Sequence, residues 1–297
     1  MRHITHILCG IDFSDESRHA LDHAVVLARW YNAALTGVYV YPPPMPAVPD
    51  EIAPNLVMMK EDERKECESR VQAFLDDADS LGISKSAHVV VNSAAEGILS
   101  TAKATGTDLI VMGTHGAGGF RRLILGSIAE RVLRLAACPV LTVPPRARKT
   151  SALPLKRILC PIDFGDTSKA ALELAASLAS EGDADLTILH VLEPGADADP
   201  LPSRSFTVPE YHQFRREEAC AQLKALVDDE MREWCRPTTR IVRGKPYREI
   251  LGVATEDGAD LIVMGVRGRN PVDLALFGST TNQVVRSATC PVLTLRA

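Results

Sequence analysis

Two glycine-bearing stretches are the residues best suited to chemistry. The first reads Gly113-Thr-His-Gly116, nine residues, then Gly126-Ser127. The second reads Gly265-Val-Arg-Gly268, nine residues, then Gly278-Ser279. Glycine lets the backbone approach a ligand closely and adopt positive φ. Ser127 and Ser279 would each open a helix, whose N-terminus offers unpaired N–H groups and the positive end of a dipole. Such a loop suits an anion, phosphate above all. The plainer reading is a loop whose glycines merely permit tight turns. Finding one spacing twice, each time after the run DLIVMG, weighs against that. Neither copy is a P-loop, because no Gly-Lys-Ser/Thr follows the glycines. Nor is either the dinucleotide fingerprint, which belongs after a first strand. After its first strand this chain has an aspartate, Asp12, repeated as Asp163.

Other groups carry weaker signals. His19 and His23 stand four apart on a predicted helix, a metal-holding spacing, but no third ligand is evident and a solvated helix face is the favoured reading. Cys9 and Cys160 fall inside predicted strands, where small buried hydrophobes are usual. Cys138 and Cys290 recur with the repeat and read as structural too. Cys67, Cys220 and Cys235 fall in helical or loop segments and are candidates for exposure. Arg121 and Arg122 either meet phosphate or stay solvated. No Ser/His/Asp arrangement is legible, so no catalytic residue and no metal site are assigned.

These groups are carried by a duplicated chain. Residues 7–35 match residues 158–186 at 15 of 29 positions, and residues 108–142 match 260–294 at 17 of 35. The repeat is a whole domain, not a solenoid unit. The junction, residues 144–156, is rich in proline and basic residues and suits an exposed linker. Within each copy short apolar runs alternate with helical patterns. In the first copy strands are expected at 7–11, 35–40, 88–91, 109–112 and 140–143. Helices are expected after Ser14, at about 60–81, through 98–104 and at 127–135. The second copy should repeat this order. Alternation of this kind implies a parallel sheet with helices on both faces. Ligands then bind beyond the carboxyl ends of the strands, where strand order reverses.

Composition agrees with a globular protein of about two domains at 297 residues. The net charge of −5 argues against a dedicated nucleic-acid binder. No apolar stretch approaches the ~18 residues needed to cross a bilayer. No secretory h-region follows Met1. Seven cysteines without paired spacing fit a reduced, cytoplasmic chain.

Taken together, these residues resemble the universal stress protein family in its tandem form. The spacing G-x-x-G, nine residues, G-[ST] is that family's ATP-binding signature, and both copies match it. The first strands ending in aspartate (GIDFS, PIDFG) and the closing CPVLTV and CPVLTL resemble it as well. The resemblance covers nearly the whole chain, less the linker and the Pro-rich loops. It implies an α/β fold of two tandem five-stranded parallel-sheet domains, Rossmann-like and of the adenine nucleotide alpha hydrolase-like type. Their strand order would be 3-2-1-4-5, over residues 1–147 and 154–297. It implies ATP, accompanied by Mg²⁺, as the ligand. Ile11 and Asp12 would meet the adenosine and Val40 the base. Gly113, Gly116, Gly126, Ser127 and Ile128 would hold ribose and phosphates, with Met112 also in the site. In the second copy Ile162, Asp163, Val191, Met264, Gly265, Gly268, Gly278, Ser279 and Thr280 take those places.

The family's G-x-P is present as Gly244-Lys245-Pro246 but replaced by Asn92-Ser93-Ala94 in the first copy. Asn270, Pro271 and Asp273 lie in the second loop, so occupancy of each site stays open. Arg121 corresponds to Asp273, which favours tighter ATP binding by the first copy. The implied role is a nucleotide-dependent stress-response regulator or sensor, at most a slow ATPase. The alternative is a nucleotide-free interaction scaffold or an apolar-ligand binder. Protein partners are not legible. The family further implies a pseudo-dimer of the two copies through their last strands, with a homodimer as a further option.

Overall fold

Runs such as Ile7-Leu8-Cys9 are apolar at successive positions, the pattern of a strand buried on both faces. In a computed structural model of the protein, which describes residues 4–43, 61–78, 82–115, 125–148, 155–194, 208–266 and 278–296, these runs form the central strands. The chain divides into two compact units, Met1–Leu153 and Pro154–Ala297.

The first unit runs β1 (His6–Ile11), α1 (Asp15–Tyr31), β2 (Ala34–Tyr41), α2 (Glu61–Asp76), β3 (Lys85–Val91), α3 (Ala94–Ala104), β4 (Leu109–Gly113), α4 (Ser127–Leu135) and β5 (Val140–Val143). Its strands pair in parallel in the order β3-β2-β1-β4-β5. The second unit runs β6 (Arg157–Ile162), α5 (Asp166–Gly182), β7 (Asp185–Leu192), α6 (Val208–Leu226), α7 (Asp229–Trp234), β8 (Arg236–Arg243), α8 (Pro246–Glu256), β9 (Leu261–Gly265), α9 (Ser279–Ser287) and β10 (Val292–Leu295). Its order is β8-β7-β6-β9-β10, again parallel. In each unit strand order reverses between the first and fourth strands.

Local chemistry sets the ends of α1 and α5. Ser14 caps α1 by accepting from the Ser17 N–H at 3.1 Å. Both helices close on a left-handed residue, Asn32 (φ 51°) and Asp183 (φ 47°), whose N–H reaches back to the last turn. Ala20, Leu21, Ala24 and Ala28 of α1 are fully buried, so small side chains bring the helix close to the sheet.

At the amino ends of the strands one device occurs twice. The Asp108 carboxylate accepts from the N–H of Thr5 (2.8 Å) and of His6 (3.0 Å), and Asp260 does the same for Lys156 (2.9 Å) and Arg157 (3.0 Å). Burial pushes the Asp108 carboxyl up, but these hydrogen bonds outweigh it and hold it below the ordinary value. The aspartate opening each DLIVMG run thus pins the first strand to the fourth.

Some elements differ from expectation. Strand β3 begins at Lys85, three residues early, because Ser86 and His88 are exposed and alternate with half-buried Lys85, Ala87 and Val89 along an outer strand. Helix α2 ends at Asp76, short of the expected 81; residues 79–81 lie outside the described part. The second unit contains α7, which was not expected, started by Asp228 accepting from the Met231 N–H at 2.8 Å. The junction is not wholly exposed. Pro144 and Ala147 are buried, and His19 Nε2 donates to the Ala147 carbonyl at 3.0 Å.

Candidate functional site

Asp12 leaves β1 at its carboxyl end and turns the chain into α1. Its Oδ1 accepts from the Ser14 N–H at 3.0 Å and from the Ser14 hydroxyl. Asp163 accepts from the Gly165 N–H at 3.0 Å. Each is an Asx turn, in which the side chain bonds the backbone two residues on. The residue between is forced left-handed: Phe13 has φ 62° and Phe164 has φ 66°. For a bulky residue this is a strained backbone, costing about 1–3 kcal/mol. Packing holds it in place. The Phe13 ring lies 5.0 Å from Tyr39 and 5.5 Å from Phe74, with the Arg70 guanidinium 4.7 Å above it. Phe164 lies 4.5 Å from His190, whose Nδ1 donates to the Ile162 carbonyl at 2.8 Å.

Beside this turn lie the end of the fourth strand and the start of the next helix. A Cβ on Gly113 would meet the Glu16 carbonyl at 3.3 Å, and one on Gly265 would meet Thr167 Cγ2 at 2.7 Å and its backbone carbon at 3.1 Å. These glycines let the strand end press against the first turn of α1 and α5. Gly126 and Gly278 are the N-caps of α4 and α9 and supply no side-chain cap. Their own N–H groups bond back to Thr114 (2.9 Å) and Val266 (3.2 Å). Among the described residues the N–H groups that follow have no side-chain cap. In the second unit the buried Thr281 hydroxyl donates to the Gly265 carbonyl at 2.9 Å, tying helix to strand.

Of the two uses that glycine allows, close approach and positive φ, the described glycines of these loops serve the first. Gly126 has φ −60° and Gly278 −51°, and neither Gly113 nor Gly265 is left-handed. Their role is close approach, and the positive φ falls on the two phenylalanines. Sequence reasoning missed Phe13 and Phe164. The signal was there, because Phe follows the strand-end aspartate in both copies.

The remaining expected residues sit as follows. Ile11, Met112, Ile162 and Met264 are buried. Val40 is half-buried against α3, its methyls where a Cβ on Gly97 would fall. Val191 and Thr280 are half-buried, Ser127, Ile128 and Ser279 exposed. Gly116 and Gly268 lie outside the described residues, as do Arg121, Arg122, Asn270, Pro271, Asp273 and most of both Pro-rich loops.

The solvated helix face expected for His19 and His23 is corrected by the structure. His23 is buried, its Nδ1 donating to the His19 carbonyl at 2.9 Å, and His19 is spent on Ala147. Burial holds His23 below the ordinary 6.5, partly offset by the backbone hydrogen bond and Asp22. Its contribution to stability is therefore complete above 6.5 and is lost as pH falls from there through the folded value. Urea midpoints of the first domain should drop as pH falls below 6.5, and drop less in His23→Leu. Equal drops would show that His23 is not responsible.

All seven cysteines are free of disulfides. Burial pushes the Cys9 and Cys160 thiols to about 12, so they stay protonated. Cys235, expected as a candidate for exposure, is buried, with its thiol donating to Met231 O within α7's last turn. No helix among the described residues is long and apolar enough to cross a membrane.

The universal stress protein family matches this chain over residues 3–144 and 154–296. A universal stress protein of Mycolicibacterium smegmatis is 28% identical over 302 residues, spanning 98% of this chain and 96% of its own length. Another, of Methanocaldococcus jannaschii, is 34% identical over 147 residues, 48% of this chain and 82% of its own. The crystal structure of a universal stress protein from Archaeoglobus fulgidus superposes with a TM-score of 0.68 at 22% identity, covering 100% of this chain and 99% of that one. That likeness speaks for the fold.

Proposed function

The chain belongs to the universal stress protein family, and on that premise we propose that each of its two domains binds ATP at the carboxyl ends of its first and fourth strands. The observation that carries this reading is a duplicated one. In each domain an N-terminus without a side-chain cap, at α4 or α9, lies at the same sheet end as an Asx turn strained around a phenylalanine. Uncapped N–H groups and a positive dipole end suit phosphate oxygens. Strain in a bulky residue is retained where the surroundings over-determine it, as at ligand clamps. Asp12 and Asp163, with Val40 and Val191 at the second strand's end, are the groups proposed to take the nucleoside. Mg²⁺ would come with the triphosphate, held by its oxygens and water. Among the described residues no cluster of three His, Cys, Asp or Glu side chains offers it a protein site.

The biochemical role that fits is a cytoplasmic, nucleotide-dependent regulator or sensor of the stress response. At most slow ATP hydrolysis belongs to this reading, since no Walker lysine follows either glycine run.

ATP that binds only the folded chain stabilises it by RT ln(1 + [L]/Kd), about 2.7 kcal/mol at a hundredfold excess over Kd. Calorimetric melting of nucleotide-stripped protein should shift upward with millimolar ATP and Mg²⁺. No shift would leave the nucleotide-free scaffold in its place.

A further inference from the structure

In the first unit the left-handed turn after β1 is held by a helix that is itself held at one end only. Phe13 has φ 62°, a conformation that a bulky residue keeps only where its surroundings impose it. Two groups of α2 lie against its ring. Phe74 meets it edge-on at 5.5 Å, and the Arg70 guanidinium lies 4.7 Å from its centroid. Phe74 is clamped in turn by Arg18, at the start of α1. That guanidinium stacks 3.5 Å from the Phe74 ring centroid, donates to the Phe74 carbonyl at 2.7 Å and pairs with Asp77 at 3.3 Å. The buried residues of α2 are Val71 and Leu75, so Glu61–Arg70 contributes none. In that first part Arg64 pairs within the helix, with Glu61 at 2.9 Å and Glu68 at 3.4 Å. The end of α2 that is docked is thus the end that grips the strained turn. In the second unit Phe164 rests on His190 of β7, and Lys169 stands at the position of Arg18.

We propose that Arg70 and Phe74 are positioning residues for the turn that carries Asp12, and that α2 docking and ATP binding in the first domain are coupled through Phe13. The inference rests on the ATP reading above. With α2 docked, Phe13 is held left-handed and Asp12 keeps its bonds to Ser14. With α2 released, the strain relaxes and the turn loses its shape. ATP binds the first arrangement better and so favours the docked helix; by linkage, docking favours ATP by the same factor. One aromatic contact of this kind is worth about 2- to 10-fold. Off the sheet, a helix of 16 residues is marginal in water, so release shows as faster amide exchange. Occupancy of the site thereby becomes readable at the surface, in the state of α2.

The test joins hydrogen exchange to titration calorimetry on the full chain carrying Gly278→Val, so that the first domain alone binds. Saturating ATP should slow exchange of the amides from Val71 to Asp76. Arg70→Gln and Phe74→Leu each remove one contact from the Phe13 ring. Each should speed that exchange without ATP and weaken ATP about 2- to 10-fold. Phe74→Tyr, which keeps the ring, should behave as the parent. Phe13→Gly is the decisive variant. Glycine takes positive φ without strain, so the turn keeps its shape and still binds ATP with no helix against it. In that background ATP should no longer slow α2 through the turn, and Phe74→Leu should cost no further affinity. Exchange of α2 unmoved by bound ATP, an equal affinity loss from Phe74→Leu with and without Phe13→Gly, or loss of ATP binding on Phe13→Gly overturns the coupling and leaves the ATP reading standing. Absence of binding heat in the Gly278→Val parent refutes the first-domain ATP site, and the coupling with it.

Discussion

Replacing Gly126 by valine will halve the number of ATP molecules the chain binds, without unfolding the first domain. The backbone there (φ −60°, ψ 137°) is one that valine adopts freely. The added Cβ would lie 3.2 Å from the Thr114 carbonyl oxygen, which a shift of a few tenths of an ångström relieves. The two γ-methyls, however, would occupy the space in front of the first turn of α4. Losing two hydrogen bonds to a charged phosphate costs about 3 kcal/mol or more, roughly a hundredfold in affinity. Titration calorimetry should give one site instead of two, with an unchanged far-ultraviolet spectrum. Two sites of undiminished affinity in the folded variant would make Gly126 a turn residue only.

Gly265→Val has the opposite signature. Here the new Cβ would stand 2.7 Å from Thr167 Cγ2 and 3.1 Å from the Thr167 backbone carbon. Backbone in the first turn of α5 cannot step aside without loosening that helix from β9. Overpacking of this kind costs about 1–3 kcal/mol for single methylenes, and valine adds a whole side chain, so the upper end or beyond is expected. The second domain's denaturation midpoint should fall sharply, with the first domain's transition in place. A small change in midpoint with selective loss of nucleotide would show that Gly265 serves the ligand and not the packing. The two valines thus separate glycines that sequence spacing places in one motif.

How much of this was legible in the sequence differs between elements for physical reasons. The central strands were plain because Ile7–Cys9 and Leu109–Met112 are buried on both faces and read as unbroken apolar runs. Strand β3 was half missed because an outer strand alternates, and Lys85, Ser86 and His88 look like loop. Helix α7 was invisible because its six residues carry no period long enough to read. At the site, the spacing of Gly113, Gly126, Gly265 and Gly278 identified the right strand and helix ends. It did not show which residues there carry the left-handed backbone. Propensity puts positive φ on glycine, whereas here an aspartate bonding two residues on imposes it on Phe13 and Phe164.

Nucleotide binding at two sites is the core of the account, and titration calorimetry of the stripped wild-type chain beside the Gly126→Val, Gly278→Val double variant tests it most directly. Two ATP molecules per wild-type chain and none per folded double variant is the predicted outcome. Absence of binding heat from the wild type at high micromolar ATP, or full binding by the double variant, would contradict it.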